Sequence, residues 1–224
     1  MVYNYNHKKL IAEELNFWKN WFKNEGGIYE DDYKFRIDNN SQINESCWIL
    51  KDLNPNDKVL DVGCGPMPSY GYYLGKSKIN LTGVDPLANE YNELIEKYIP
   101  SLNFRGTLGY GEKLQELFTQ NKFDRVVSRN ALDHSYNPIK CLNNMINVCK
   151  TSGILKFIVY ENEAIHANYT GLHQWNFFIE NERLKLSNKY QEAFIEDHIE
   201  CESIKPILSK DRLIFVEIKP SLKT

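Results

Sequence analysis

Nothing in this 224-residue chain marks a membrane span, a disulfide scaffold or a polyanion-binding surface. The most apolar stretch, Gly153 to Tyr160, is eight residues long and contains Lys156. A spanning helix needs about 20 apolar residues, so no membrane insertion is expected. Met1 to Leu10 lacks the apolar centre of a secretory signal, which predicts a soluble, cytoplasmic protein. The five cysteines (Cys47, Cys64, Cys141, Cys149 and Cys201) form no C-x-x-C pair. Their odd number also argues against a disulfide framework, and reduced thiols fit. Basic residues are not in excess: 27 Lys and Arg face 30 Asp and Glu, for a net charge of −3. A nucleic-acid partner normally calls for a basic stripe, and none is expected here.

What is present reads as one globular domain over residues 1–224, with 42% apolar and 25% charged residues. Within it we expect an N-terminal helical cap over 1–54, a ligand-binding core over 55–160, and an acceptor-side loop with closing strands over 161–224. Ile11, Leu15, Trp18 and Phe22 recur at helical spacing before Gly26-Gly27, so a first amphipathic helix packs on the core or covers it. A second helix is predicted over Ile43 to Leu53, stopped by Asn54-Pro55.

From Asp57 the pattern becomes alternating strands and helices. Strands are predicted at Lys58–Val62, Ile79–Val84, around Phe104, at Phe123–Ser128 and at Gly153–Tyr160. Helices fall at Leu87–Tyr98 and Glu112–Phe118, and another follows Asn137 as cap with Pro138 at its first position. The fold class is α/β: a Rossmann-like, mostly parallel sheet with helices on both faces. Strand-like pieces at 176–179, 183–186, 200–204 and 213–218 predict an antiparallel finish.

Ligands of such sheets bind beyond the carboxyl ends of the strands, and the informative stretches lie there. Val59-Leu-Asp-Val-Gly-Cys-Gly-Pro66 runs from a strand into a glycine turn. A dinucleotide loop would need glycine where Pro68 stands, and no Gly-Lys-Ser/Thr follows for a P-loop. Asp85 in Thr82-Gly-Val-Asp-Pro86 falls about 20 residues later, where nucleotide-binding α/β folds place an acid on the ribose hydroxyls. Gly109-Tyr-Gly-Glu112 and Ser128-Arg-Asn-Ala-Leu-Asp-His-Ser135 follow the third and fourth strands.

In this order the stretches resemble class I S-adenosylmethionine-dependent methyltransferases over about residues 55–160. The resemblance implies S-adenosyl-L-methionine as cofactor. Asp61, Gly63, Cys64 and Gly65 would cradle its methionine part, and Asp85 with Pro86 its ribose. Gly111 and Glu112 would lie near the adenine, and Asn130, Ala131 and Leu132 would form the loop closing over the cofactor. The chain departs from the family pattern at Met67, where many members have a third glycine, and at Tyr110, where many have an acid.

Tyr160 to Asn176, after the fifth strand, is dense in hydrogen-bonding side chains, which suits a small polar acceptor. Together with Asp133-His-Ser135, the stretches Asn162-Glu-Ala164 and Asn168–Asn176 resemble small bacterial methyltransferases of surface-polysaccharide or polar-metabolite modification. Glu163, Tyr169, Gln174, Trp175 and Asn176 are the expected acceptor contacts. Arg36 and Arg129 are candidates for a phosphate or phosphoramidate group. His134 and His173 both qualify as general base, and spacing does not choose between them. Asp133, His134, Glu161, Glu163, His166 and His173 have no metal-ligand spacing, so no metal is expected.

The leading expectation is methyl transfer to oxygen of a small polar acceptor, such as a phosphorylated, phosphoramidate or sugar precursor of a cell-surface polysaccharide. Methylation of nitrogen on a small metabolite and a non-catalytic cofactor-binding module remain as alternatives. Pro68 disfavours a nicotinamide-dependent oxidoreductase.

Overall fold

The computed structural model describes residues 7–44 and 46–221. Met1–Asn6, part of the segment that bears on targeting, lie outside them. Helix α1 (His7–Lys23) ends where Gly26 takes a left-handed φ of +85° and donates its N–H to Trp21 O. Helix α2 spans Glu30–Ile37. The strands that follow are β1 (Lys58–Val62), the small hairpin β2 (Tyr73–Leu74) and β3 (Ser77–Lys78), and β4 (Asn80–Asp85). Then come α3 (Ala88–Tyr98), β5 (Thr107–Leu108), β6 (Phe123–Arg129), α4 (Pro138–Val148), β7 (Cys149–Tyr160) and the single turn α5 (Glu163–His166). Five strands finish the described chain: β8 (Asn176–Glu180), β9 (Arg183–Ser187), β10 (Glu192–Phe194), β11 (Cys201–Leu208) and β12 (Leu213–Pro220).

Seven strands form one sheet in the order β11-β12-β7-β6-β1-β4-β5. The pairs β7-β6, β6-β1, β1-β4 and β4-β5 are parallel, whereas β12 pairs antiparallel with both β7 and β11. β8, β9 and β10 make a separate antiparallel sheet, bridged to the end of β7 by Glu161 and Phe177. β1 lies inside the sheet between β6 and β4, and all its residues after Lys58 are buried, as a strand covered on both faces requires. α4 and the small sheet cover one face, with Leu142, Met145, Trp175, Phe177 and Leu186 in one cluster with β6, β7 and β12. On the other side α1 and α3 share a cluster of Phe22, Trp21, Tyr91 and Ile95 with Met67 and Phe104. Among the described residues no helix is long and apolar enough to cross a membrane, and all five cysteines are free.

The α/β class, the antiparallel finish, the first helix and the capped α4 agree with the sequence expectations; Asn137 Oδ1 accepts the N–H of Lys140 at 3.0 Å. The helix predicted over 43–53 does not form. That segment spends its backbone elsewhere: Ile43 N–H bonds Tyr73 O, and Asn44 Oδ1 takes both the N–H and the hydroxyl of Ser46. Only a 3-10 turn at Trp48–Leu50 remains, with Ile49, Leu50 and Leu53 buried against the sheet. The third strand is two residues long and starts after Phe104, whose ring instead fills the space beside Gly83. The helix predicted over 112–118 is a 3-10 segment at Gly111–Glu116.

Candidate active site

The carboxyl ends of β1, β4, β6 and β7 open into a cavity of about 720 Å³, walled on the outside by α1. All eleven residues expected to hold the cofactor line it: Asp61, Gly63, Cys64, Gly65, Asp85, Pro86, Gly111, Glu112, Asn130, Ala131 and Leu132. Gly63 and Gly65 take φ of +73° and +60°, values that L side chains rarely adopt. A Cβ at Gly63 would stand 2.4 Å from the Cβ of Ala131, so the glycine lets the loop after β6 close against the loop after β1.

Asp85 holds this turn from below. Its Oδ2 accepts the N–H of Gly65 at 3.0 Å and its Oδ1 that of Leu87 at 2.8 Å. Burial pushes its pKa up to about 6, against the pull of those two donors. Asp61 is 3% exposed; its Oδ2 accepts the Tyr70 hydroxyl at 2.8 Å, while Oδ1 has no partner among the described residues. Burial lifts Asp61 to about 7, opposed by the Tyr70 hydrogen bond and reinforced by the charge of Asp85. Burial also holds the Cys64 thiol well above its ordinary pKa, which removes it as a nucleophile.

These features fit an adenosyl amino-acid ligand. The unpartnered Asp61 oxygen is an acceptor for an ammonium group, the glycine turn admits close approach to backbone, and Asp85 lines the wall where ribose hydroxyls are expected. Glu14, Trp18 and Tyr91 also line the cavity. Trp18 Nε1 donates to Glu14 Oε1 at 2.8 Å, and its indole lies 3.8 Å from where a Cβ on Gly65 would be. The first helix therefore both packs on α3 and covers the glycine loop.

At the acceptor end, His134 comes from a 3-10 turn after β6 and His173 from the loop before β8. Their rings meet edge to face at 4.5 Å, with His134 Nε2 3.1 Å from His173 Nδ1. Asp133, 1% exposed, sets its Oδ2 2.7 Å from His173 Nδ1 and 3.4 Å from His134 Nε2. Burial lowers the His173 pKa, but the hydrogen bond and charge of Asp133 outweigh it and the net shift is upward. Both histidines line the same cavity as the glycine loop. The sequence weighs Asp133 only among residues without metal-ligand spacing; its contact with His173 is carried by no spacing, the one local signal being an acid directly preceding a candidate histidine. Tyr70 and Glu14 carried no sequence signal.

Arg36 and Arg129 reach the cavity wall. Arg36 pairs with Asp32 at 2.8 Å beside the Trp18 and Trp21 rings, and exposed Arg129 donates to Ser69 Oγ at 2.9 Å. Five expected acceptor contacts, Glu163, Tyr169, Gln174, Trp175 and Asn176, are not among the residues that line the cavity and bond within the protein instead. Trp175 is fully buried and donates to Ser135 O at 2.9 Å. Gln174 binds the carbonyls of Tyr169 and Gly171; Asn176 caps Ile165 N–H and reaches the Tyr169 hydroxyl. Glu163 contacts Arg212 at 3.4 Å. Polar density there serves a loop whose turns at Asn162, Asn168 and Tyr169 take left-handed φ, because buried irregular backbone needs local partners. His166 is exposed and is not among the residues that line the cavity.

Residues 53–212 match the model of a protein family described as a methyltransferase domain. An uncharacterized methyltransferase of Schizosaccharomyces pombe is 30% identical over 142 residues, 54% of this chain and 49% of that protein. The match thus spans about half the length of that curated relative. Among solved structures, a putative S-adenosyl-L-methionine-dependent methyltransferase of Methanococcus maripaludis superposes with a TM-score of 0.58 at 15% identity, covering 100% of this chain and 99% of that one. The 1,6-didemethyltoxoflavin-N1-methyltransferase of Burkholderia thailandensis, solved with S-adenosylhomocysteine, gives 0.53 at 12% identity over 99% and 93%. At these identities the structural likeness is one of fold.

Proposed function

The chain belongs to the methyltransferase-domain family, whose methyl donor is S-adenosylmethionine, and on that premise we propose that it methylates an oxygen of a small polar acceptor in the cytoplasm. The acceptor is a phosphorylated, phosphoramidate or sugar precursor of the kind built into cell-surface polysaccharide. Residues 55–160 act as the cofactor core, 1–54 as its cap and 161–224 as the acceptor side. Bound at Asp61, Gly63, Gly65 and Asp85, the cofactor supplies a methyl group already activated on a sulfonium. What is left to the chain is to align the nucleophile and dispose of its proton.

The observation that carries the reading is the Asp133–His134–His173 group on the wall of the cofactor cavity. His134 and His173 are the catalytic pair: they face the acceptor oxygen from one wall of the cavity, and removal of its proton falls to them or to what they hold. Arg129 and Arg36, both on the cavity wall, supply positive charge for an anionic substituent. Nitrogen methylation, which the name of the Burkholderia neighbour carries, is the rival. The histidine pair favours oxygen, because a neutral hydroxyl is a poor nucleophile until a base takes its proton, whereas an amine in its neutral form attacks through its lone pair without one.

The test is incubation with methyl-labelled S-adenosylmethionine and a panel of sugar phosphates, phosphoramidates and amines, with products mapped by mass spectrometry. An O-methyl product whose yield collapses in His173→Ala supports the reading. Labelling only of amines, or folded protein that binds neither the cofactor nor S-adenosylhomocysteine, overturns it.

A further inference from the structure

We propose that Asp133, His134 and His173 together bind one divalent first-row cation that holds the acceptor oxygen. The inference rests on the reading above for the acceptor's place, and it makes the histidines ligands rather than proton acceptors.

Three donor atoms converge: Asp133 Oδ2, His134 Nε2 and His173 Nδ1 lie 2.7, 3.1 and 3.4 Å apart pairwise. Ligands bound at about 2.1 Å to one cation are separated by about 3.0 Å in octahedral and about 3.4 Å in tetrahedral geometry. The observed triangle is of that size. Protons account for it poorly. His173 Nδ1 has either one N–H or one lone pair, yet it faces both Asp133 Oδ2 and His134 Nε2 at hydrogen-bond distance. If both imidazoles give their N–H to Asp133, their nitrogens face each other at 3.1 Å with no acceptor between them, whereas a cation beside the triangle engages all three atoms at once.

A second observation points the same way. Asp133 is 1% exposed, and its other oxygen, Oδ1, has no partner among the described residues. The Oδ1 of Asn130, in the same loop and on the cavity wall, is likewise buried and unpartnered. This loop keeps more acceptor capacity than its protein donors satisfy, and a cation or its bound water uses such capacity.

Two imidazoles and one carboxylate suit Mn²⁺, Fe²⁺, Ni²⁺ or Zn²⁺ better than Mg²⁺ or Ca²⁺, which favour all-oxygen shells. Three protein ligands leave coordination positions open toward the cavity that both histidines line. A hydroxyl bound there loses its proton to water more readily, because the cation stabilises the alkoxide. The cation keeps its oxidation state, so no oxidant or reductant is needed. Sequence spacing hid the site, since two ligands are consecutive and the third lies 39 residues away.

The experiment uses untagged full-length protein, stripped with chelator and then titrated with Mn²⁺ by electron paramagnetic resonance and with Zn²⁺ by calorimetry. We expect one equivalent of each to bind. His173→Ala and Asp133→Asn should weaken binding at least tenfold, and His166→Ala should leave it unchanged. S-adenosylhomocysteine is titrated into the same samples as a check on fold and cofactor site. If neither cation binds at one equivalent, or binding survives in both ligand variants, the cation site is wrong. Full methyl transfer after chelation that still depends on His173 would also overturn it, while leaving the proposed function standing. Cation binding without S-adenosylhomocysteine binding would reject the proposed function instead.

Discussion

The sharpest consequence of the buried Asp61 is that cofactor affinity should climb with pH, and that Asp61→Asn should flatten the climb. The carboxyl is lifted to about 7 by burial, yet an ammonium partner at its open oxygen favours the ionised form. Binding therefore releases a proton wherever the free protein still holds it, and affinity rises as pH rises toward and through about 7. At about pH 6 roughly a tenth of a group with that pKa is ionised, and at about pH 8 roughly nine-tenths. The affinity gain across that window is about tenfold, or about 1.4 kcal/mol. S-adenosylhomocysteine is the right ligand for the assay, because it lacks the sulfonium charge that perturbs the amine of the donor itself. Calorimetry in buffers of different ionisation enthalpy reads both affinity and proton release. In Asp61→Asn the slope should vanish, and affinity should fall about tenfold or more at about pH 8, the size of a lost hydrogen bond to a charged group. A native affinity that stays flat between about pH 6 and about pH 8 would falsify the pairing of Asp61 with the ammonium group. Stability of the unliganded protein should run the other way. A carboxyl whose folded pKa is raised contributes most below its unfolded value near 4, and that contribution is lost as pH rises through about 7.

Asp85→Ala should weaken S-adenosylhomocysteine binding at least tenfold in calorimetry, because it removes the brace on Gly65 and Leu87 together with the proposed ribose acceptor; unchanged affinity would remove Asp85 from the site. Arg129→Ala should raise KM for an anionic acceptor with little change in cofactor affinity, and an unchanged KM would place the anion elsewhere. Trp175→Ala should cost about 3–5 kcal/mol in urea unfolding. Trp175→Phe should cost about 1–3 kcal/mol, since it leaves Ser135 O without its donor; values near zero would mean that the indole is not part of the core.

What could be read from the sequence was what is local. The glycine turn, Asp85 and Asn130–Leu132 sit at strand ends, and strands announce themselves by short apolar runs such as Val59-Leu60 and Val126-Val127. The capped α4 was legible because Asn137-Pro138 carries its start. The segment 43–53 misled because its apolar residues face the sheet from an irregular backbone, and Asn44 turns the chain where a helix was expected. Trp175 and Asn176 misled in the opposite sense: polar groups that close a loop have the same composition as polar groups that bind a ligand. The contact of Asp133 with His173 is tertiary, and no periodicity encodes it.

Gly63 and Ala131 belong to different loops, yet the missing Cβ of one leaves room for the Cβ of the other. Selection cannot treat these two sites independently. A methyl gained at 63 meets backbone strain at φ +73° and the neighbouring side chain at 2.4 Å together, so losing the alanine methyl first would relieve only half the obstacle. Substitutions at 131, by contrast, meet no left-handed backbone and are constrained by size, toward Gly63 and toward the cavity. Drift in this pair should therefore be one-sided, with 131 exchanging among the smallest residues while 63 stays still.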